Sequence, residues 1–258
     1  MLLTHRPEGP LASFVEGLWY YDGVSSSHHT DRVLPNGKFQ IVIGLSANIG
    51  VVTGMRTHHV IVRSGAMPSA MGIVFRPGGA RAVLGPPSSD FFNRTVPLDS
   101  VWHSELPRLS ERLVEAVTSR AKFDTLESGL LALIRSRNER RVGLHPAVWH
   151  ALRAFQQLPP VASVLDVAND TGLSHRRLSQ LFDEQVGMTP KSYCRLIRFR
   201  SVVQQIASGQ PVEWADVALA AGYYDQAHFS HEFKQFSGMS PSSFMAAEHP
   251  YVNHVRID

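Results

Sequence analysis

Short apolar runs separated by turn-forming residues dominate the first 104 positions of the chain. Runs rich in Ile, Val and other strand formers lie at residues 39–45, 51–53, 59–62 and 71–75. Turn-forming residues lie around them, at residues 34–37, 68–69 and 85–89. Many short strands at this spacing predict a β-rich domain that is either a sandwich or a small barrel.

From about Leu106 the hydrophobic period becomes that of a helix. The apolar residues form two stripes, Leu109, Leu113, Ala116 and Val117, then Leu126, Leu130, Leu131 and Ile134. We therefore expect helices over about 106–137, and the polar stretch at 135–141 is predicted to be a linker or helix end. Beyond His145 the chain reads as entirely helical. The pattern predicts an α+β protein with a β-rich domain at 1–144 and an all-α domain at 145–258.

The all-α region contains an internal repeat at an offset of 50 to 51 residues. Four features recur: an Ala-x-x-x-Gly turn, two apolar residues four apart, a Gly-Met-(Thr/Ser)-Pro segment and an aromatic residue. They begin at Ala168, Leu178, Gly187 and Tyr193 in the first copy, and at Ala218, Phe229, Gly238 and Phe244 in the second. Because two copies are too few for a solenoid, we expect each to be a compact helical unit.

The first copy begins with the residue types of a helix-turn-helix unit. Ser163 and Asp166 make a capping-box-like start for its first helix. Leu165 and Ala168 are expected to face inward, with Ala168 small because the second helix crosses close by. Gly172 lies where the first helix ends, at a position that favours positive φ.

The second helix of this copy is predicted to start after Ser174 and to have one buried and one open face. The buried face consists of Leu178, Leu181 and Phe182. The candidates for DNA contact on this helix are His175, Arg176, Arg177, Ser179 and Gln180. Such residues near a helix start suit contacts with phosphates and with base edges in the major groove.

The second copy follows the same logic. Gly222 ends its first helix and Asp225 is the predicted cap of the next. The inward residues of that helix are Phe229, Phe233 and Phe236. Its outward residues are Gln226, His228, His231 and Lys234, with Lys234 predicted to contact a phosphate.

Between the copies, residues 190–208 are predicted to form one helix of about 28 Å. Recognition helices that meet one face of B-DNA lie about 34 Å apart, so a connector of this length can hold both on one duplex. Arg195, Arg198 and Arg200 cluster on this helix. They are candidates for phosphate contacts, and solvated charges are the alternative.

Together these features resemble the AraC/XylS family of transcription activators, over about residues 161–247. The resemblance rests on both Ala-x-x-x-Gly turns and on residues 222–234 and 238–244. It implies a sequence-specific regulator of transcription that reads two adjacent major-groove segments. The implied base-reading residues are Arg176, Ser179, Gln180, Gln226, Ala227, His228 and His231. His231 stands where the family usually has arginine, which weakens the expectation of bidentate guanine reading there.

The N-terminal region is similar, by two shorter motifs, to domains attached to some members of this family. The motifs are Leu-Pro-Asn-Gly at 34–37 and Phe-Arg-Pro-Gly-Gly-Ala at 75–80. In the family such domains bind an effector or dimerise, often on a cupin-like β-barrel. The candidate effector contacts are Arg76, Trp19 and Tyr21, because a guanidinium beside glycines can hold an anion and aromatic rings can line a pocket. A tight turn and an aromatic core are the alternatives.

Charge and cysteine content constrain the compartment more than the partner. The 258 residues have a net charge of +3, yet residues 145–258 hold 9 Lys/Arg against 10 Asp/Glu. The half assigned to DNA is therefore not globally basic, and the case depends on where its cations lie. Cys194 is the one cysteine, and neither a secretion signal nor a membrane-spanning run is apparent. The sequence thus predicts a cytoplasmic protein with no membrane contact.

The expected partners are double-stranded DNA, RNA polymerase, a small-molecule effector and a second copy of the chain. We expect no metal, because the pairs His28-His29 and His58-His59 lack metal-site spacing. We expect no cofactor and no enzymatic activity, because neither a phosphate-binding glycine loop nor a nucleophile elbow is apparent. Two other classes stay open. One is a cupin-like enzyme acting on a small molecule and fused to a DNA-binding tail. The other is a helical module that recruits a protein without touching DNA.

Overall fold

The computed structural model describes residues 1–23, 30–46, 49–63, 68–137, 143–157, 163–209, 213–249 and 251–257. The strands within these ranges are β1 (Leu2–His5), β2 (Val15–Asp22), β3 (Thr30–Val33), β4 (Gln40–Gly44), β5 (Ile49–Thr53), β6 (Val60–Arg63), β7 (Ser69–Phe75), β8 (Thr95–Pro97) and β9 (His254–Arg256). The first helices are α1 (Ala80–Leu84), α2 (Glu105–Glu115) and α3 (Ser119–Ser136). The later helices are α4 (Pro146–Phe155), α5 (Val164–Asp170), α6 (His175–Val186), α7 (Pro190–Ala207), α8 (Trp214–Ala220), α9 (Gln226–Ser237) and α10 (Pro241–Met245).

Six strands form an antiparallel sheet in the order β1-β2-β7-β4-β5-β8. Side chains alternate across each strand, and one face of this sheet is fully buried, with Leu18, Ile41 and Ile73 at most 1% exposed. The β-rich prediction for this region is confirmed. Over the described residues the ladder ends in two edge strands, β1 and β8, so the sheet is open.

Helices α2 and α3 bury the stripes that the sequence predicts, with one difference. Leu113 and Leu126 are fully buried, whereas Val117 is 94% exposed, so its place in the first stripe is wrong. The physical reason is that α2 ends at Glu115 and the backbone is extended at Ala116 (ψ 110°). The Lys122 ammonium then donates to the Leu113 and Ala116 carbonyls, which satisfies the end of α2.

A smaller antiparallel sheet, in the order β6-β3-β9, joins the two ends of the chain. Strand β9 lies in the C-terminal tail, and its Val255 pairs with Arg32 of β3. Arg256 donates to Asp31 at 3.2 Å, and Val255 is buried between its neighbours. The helical prediction beyond His145 therefore holds through α10 and is wrong for this tail, where a period-two pattern allows pairing with the N-terminal half.

The C-terminal region is otherwise helical, from α4 to α10, as predicted. In α5 the inward residues are Val167 and Ala168, both fully buried, whereas Leu165 is 57% exposed. The inward prediction for Leu165 is wrong, because Val164, Val167 and Ala168 share one helix face and Leu165 lies about 100° around from Val164. Among the helices of the described segments, none has the length and apolarity needed to cross a membrane.

Candidate nucleic-acid interface

The first helix-turn-helix unit consists of α5 and α6, and its local hydrogen bonds explain both starts. Ser163 and Asp166 form the predicted capping box, with each side chain accepting from the other residue's amide. Hydrogen bonds from the Ser163 hydroxyl and the Ser163 backbone amide to the Asp166 carboxyl lower the pKa of that carboxyl. Gly172 has φ +68° in the turn, and Ser174 accepts from the Arg177 amide to start α6. The caps predicted from the sequence are therefore confirmed.

Helix α6 has one face in the core and one open to solvent. Leu178 and Phe182 are fully buried. The exposed residues on the other face are His175, Arg176, Arg177 and Gln180, with Ser179 half-buried beside them. Arg177 donates to Gln180 at 3.1 Å, so two of the candidate DNA contacts already touch each other. The structure brings these candidates onto one surface, and their contact with DNA stays a prediction.

The second unit, α8 and α9, has the same arrangement with an aromatic core. Asp225 accepts from the His228 amide at 2.7 Å and starts α9, as predicted. Phe229 and Phe233 are fully buried. The exposed candidates on α9 are Gln226, Ala227, His228, His231 and Lys234. This unit therefore offers histidine and amide groups where the first offers arginines.

A shallow cavity of about 320 Å³ opens beside α9, between the starts of α8 and α10. Its lining includes Gln226, His231 and Lys234 together with Trp214. Three predicted DNA-contacting residues thus share one concave surface. The first residue of α8 and the cap of α10, Ser240, complete its rim.

The connecting helix α7 begins at Pro190 as predicted, with Thr189 accepting from the Ser192 amide. Its length of 18 residues corresponds to about 27 Å. Arg195 and Arg198 do not extend into solvent. Both contact Glu232 of α9, Arg195 at 2.6 Å and Arg198 at 3.5 Å.

Glu232 was missed by the sequence analysis. Its side chain is 4% exposed, and it lies between phenylalanines of the buried face of α9. Phe229, Glu232, Phe233 and Phe236 occupy positions i, i+3, i+4 and i+7, the spacing of one helix face. A carboxylate inside an apolar stripe was therefore the signal that could have found it.

Both recognition helices end at a glycine that lies against the N-terminal half of the molecule. Gly187 ends α6 with φ +93°, and a Cβ there would lie 2.8 Å from the Phe39 ring and 3.0 Å from the Ser88 carbonyl oxygen. Gly238 ends α9 with φ +76°, and a Cβ there would lie 2.3 Å from the His59 ring. The C-terminal ends of α6 and α9 are covered, and their N-terminal halves are open.

Polar pairs extend the contact between the halves near α6. Arg81 of α1 forms an ion pair with Glu184 at 2.5 Å. The Ser88 hydroxyl donates to the Gln185 carbonyl at 3.0 Å, and the Gln185 side chain accepts from the His145 amide. These bonds make α6 part of the contact with the N-terminal half.

Comparison with known proteins connects this geometry to named families. A family model described as "Helix-turn-helix domain" matches residues 167–247, from within α5 to just beyond α10. A second, described as "Domain of unknown function (DUF6597)", matches residues 3–97. The chain is 33% identical over 141 residues to the arabinose operon regulatory protein of Escherichia coli, covering 52% of this chain and 47% of that protein.

The C-terminal region of the chain is therefore similar to the helix-turn-helix domains of AraC-type regulators.

Two further relatives have lower identity. The probable transcriptional regulator LumQ of Photobacterium leiognathi is 27% identical over 158 residues, which cover 60% of this chain and 63% of that protein. The chain thus spans less than two thirds of the length of either curated relative. The solved structure of ToxT from Vibrio cholerae matches with a TM-score of 0.44 at 11% identity, over 95% of this chain and 97% of that chain.

The candidate effector residues do not converge on one site. Trp19 and Tyr21 share a face of β2, and the Trp19 ring lies directly over Gly72. Arg76 follows the far end of β7, about 20 Å along the sheet from the residue that pairs with Tyr21. Its guanidinium donates to the Ala12 carbonyl at 2.7 Å. Effector contact at these residues stays a prediction. In the structure Trp19 packs over Gly72, and Arg76 is hydrogen-bonded to the backbone at Ala12.

The glycines of the 75–80 motif are explained by close packing. A Cβ on Gly78 would lie 2.1 Å from the Leu144 side chain, and one on Gly79 would lie 2.1 Å from the Phe14 carbonyl oxygen. Gly78 has φ +80°. This turn therefore lies against Leu144, just before α4 begins at Pro146.

The histidine pairs and the cysteine singled out in the sequence lie apart from the helix-turn-helix candidates wherever the structure describes them. His59 packs at the end of α9, while His28-His29 lies outside the described residues. Burial raises the pKa of the Cys194 thiol to about 11. Because the thiolate is the reactive form, this thiol is poorly suited to act as a nucleophile near neutral pH.

Proposed function

We propose that the chain is a sequence-specific DNA-binding regulator of transcription that reads two adjacent major-groove segments with α6 and α9. The observation that carries this proposal is the shared orientation of the two helices within their units. Each has its C-terminal end covered and its N-terminal outer face open. Recognition helices contact base edges with residues near their N-termini, so these are the ends that DNA requires.

The connector supports the same proposal. Helix α7 is about 27 Å long, and successive major-groove segments on one face of B-DNA lie about 34 Å apart. Both recognition helices pack against α7, with Phe182 of α6 against Tyr193 and Phe233 of α9 against Phe199. One chain can thus span both segments without a partner.

We assign base reading to Arg176, Ser179 and Gln180 in the first unit and to Gln226, Ala227, His228 and His231 in the second. His175, Arg177 and Lys234 are assigned to phosphates or neighbouring bases. Arginine and glutamine make bidentate contacts with guanine and adenine, respectively, which supports the leading role of Arg176 and Gln180. His231 and His228 offer single hydrogen bonds and are expected to discriminate less.

For the N-terminal region, with a boundary near 144, we propose signal sensing or dimerisation. Its contacts with Gly187 and Gly238 support coupling, because any shift of the sheet relative to α6 and α9 changes how the recognition helices are held. Activation through RNA polymerase, a small-molecule effector and a cytoplasmic location complete the proposal. Both matched relatives carry names of regulators, which favours this function over a cupin-like enzyme.

The test is to isolate and sequence genomic DNA fragments bound by the purified full chain, then to titrate one fragment at several salt concentrations. We expect a recurring site with two conserved segments about one helical turn apart. Phosphate contacts release counterions, so the affinity should fall steeply with salt. Binding without a shared sequence, or no binding, would contradict the proposal and favour the protein-recruiting module.

A further inference from the structure

The buried carboxylate of Glu232 joins the second recognition helix to the connecting helix. Its neighbours along α9 are fully buried phenylalanines, and its own side chain is 4% exposed. A buried charge is costly unless it is paired and hydrogen-bonded. Two arginines of α7 supply the pairing.

Arg195 makes the closer contact. Its Nε donates to Glu232 Oε2 at 2.6 Å, and its second terminal nitrogen donates to the Gln235 side chain, also at 2.6 Å. The guanidinium lies over the Phe236 ring at 5.5 Å from the centroid. Arg195 therefore contacts Glu232, Gln235 and Phe236 of α9, on the side away from the open face.

Arg198 closes the other side of the carboxylate. One terminal nitrogen lies 3.5 Å from Glu232 Oε1, and the other is 3.4 Å from the Gly222 carbonyl oxygen, which it contacts as donor. Its guanidinium lies over the Tyr223 ring, 5.1 Å from the centroid. Arg198 thus connects α7 with the turn between α8 and α9 as well as with α9.

This geometry competes with phosphate contact. A guanidinium that bridges a buried carboxylate would have to leave it unpaired in order to turn toward DNA, and an unpaired buried charge is strongly destabilising. Side-chain exposures of 31% for Arg195 and 19% for Arg198 agree with an inward role. His228, a proposed base reader, also lies 3.9 Å from the same carboxylate.

We propose that Glu232, Arg195 and Arg198 are positioning residues that fix the rotation of α9 relative to α7, and that the two arginines act on DNA reading through α9 rather than through phosphates. The proposal rests on the proposed function, since it concerns how the second unit reads its segment. A buried ion pair is weak evidence for net stability, and in some proteins such groups fix a defined geometry. Here the geometry is the angle at which His228 and His231 meet the groove.

The decisive experiment measures binding of Arg195→Ala and Glu232→Gln full-length chains to the isolated specific site, across a series of salt concentrations. A lost phosphate contact lowers the magnitude of the slope of log K against log salt by about 0.9. We expect an unchanged slope and about tenfold weaker binding to the specific site, with binding to random DNA unaffected. Arg120→Ala removes an equally charged residue from α3 and should change neither quantity.

Glu232→Gln separates the two roles directly, because it frees both arginines while keeping the size of the side chain. If Glu232 is a positioning residue, Glu232→Gln should bind the specific site more weakly, and the Arg195→Ala/Glu232→Gln double variant should lose no further affinity. Scrambling the second DNA segment should then reduce the affinity of Glu232→Gln by a smaller factor than it reduces that of the wild type. Scrambling the first segment should cost as much as it does with the wild type. Tighter binding of Glu232→Gln to all DNA, or a reduced slope in Arg195→Ala, would overturn the proposal.

Wild-type binding distinguishes this proposal from the one on which it rests. If the unchanged chain fails to select a site, the proposed function fails before the variants are compared. If the wild type selects a site and the variants follow the phosphate pattern, the positioning role alone is wrong. Thermal unfolding of each variant shows whether it is folded. An unfolded variant is replaced by Arg195→Lys. A positioning role predicts that Arg195→Lys loses an intermediate amount of affinity for the specific site, with no change in the salt slope.

Discussion

The two helix-turn-helix units have the same arrangement of helices but differ in where their arginines lie, exposed in the first unit and paired with a buried carboxylate in the second. In the first unit, Arg176 and Arg177 are exposed on the open face of α6. In the second unit, the arginines nearest to α9 belong to α7 and face the buried Glu232. The open face of α9 instead carries His228 and His231.

This difference bears on how a domain without excess positive charge would bind DNA. Cations that face solvent beside a groove contribute to affinity, whereas cations paired with a buried carboxylate contribute to geometry. The first unit is therefore expected to supply most of the electrostatic affinity. The second is expected to add selectivity, with its helix held at a fixed angle.

The largest expected effect compares the two cores. Phe233 packs against Phe199, Phe229 and Phe244, whereas its counterpart Phe182 packs against Phe155 and Tyr193. Replacement of either residue by alanine should cost about 3–5 kcal/mol of unfolding free energy, with Phe233→Ala at the upper end.

Urea denaturation of both variants measures this comparison. Tyr224→Ala is the control, since Tyr224 is 91% exposed and its loss should change the unfolding free energy little. A larger cost for Phe182→Ala would show that the aromatic core doesn't make the second unit the more tightly packed one.

The next effect tests the contact between the second unit and the N-terminal half. Gly172→Ala introduces a Cβ at φ +68° with nothing within 4 Å, and should cost about 1–2 kcal/mol from the backbone alone. Gly238→Ala has a similar φ but meets the His59 ring, so overpacking should add about 1–3 kcal/mol.

The double variant His59→Ala/Gly238→Ala isolates that contact. Removal of the ring should bring the thermal stability penalty of Gly238→Ala close to that of Gly172→Ala, when measured against His59→Ala. If the penalty is unchanged, the end of α9 is not held by His59.

The third effect compares how much α6 and α9 are expected to contribute to DNA affinity. Arg176→Ala should weaken binding to the specific site by about 1–3 kcal/mol. His231→Ala should weaken it less, because imidazole offers one hydrogen bond where a guanidinium offers two. Competition titrations with specific and random DNA measure both, and an equal loss of Arg176→Ala on random DNA would make Arg176 a phosphate contact.

The smallest effect is a pH dependence of stability, which is expected at the second unit and not at the first. Burial, together with the nearby charges of Arg32 and His58, lowers the pKa of His59, while a backbone hydrogen bond to Phe236 opposes the shift. The unfolded chain therefore binds a proton at about pH 6.5 that the folded chain resists. Stability is complete above this pH and falls as the pH drops toward the folded value.

Hydrogen exchange can locate this loss. When the pH is lowered from 7.5 to 5.5 and intrinsic exchange rates are corrected for, the backbone amides at the end of α9 should become less protected. The amides at the end of α6, where Gly187 contacts Phe39 and Ser88, should keep their protection. His59→Gln should reduce the change at α9. Because the charge of His58 contributes to the shift in the His59 pKa, the control is instead His103→Gln, at an exposed histidine of the N-terminal half.

The amino-acid sequence alone determined the local structure of the helix-turn-helix half. The caps at Ser163, Ser174 and Asp225 and the breaks at Gly172 and Gly222 depend on residues a few positions apart. The buried stripe of each recognition helix follows from a 3.6-residue period, so both units could be predicted in place. The strands of the N-terminal half were predictable as a class, but their order was not, because each ladder joins segments that are distant along the chain.

Only the tertiary structure decided which distant groups meet. The ion pair of Arg195 with Glu232 joins residues 37 positions apart, and the bond from Arg256 to Asp31 spans 225. The same holds for His59 at Gly238 and for the separation of Arg76 from Tyr21. Periodicity and capping carry no information about such pairs, since their free energies depend on burial and on the direction of side chains that the whole fold brings together.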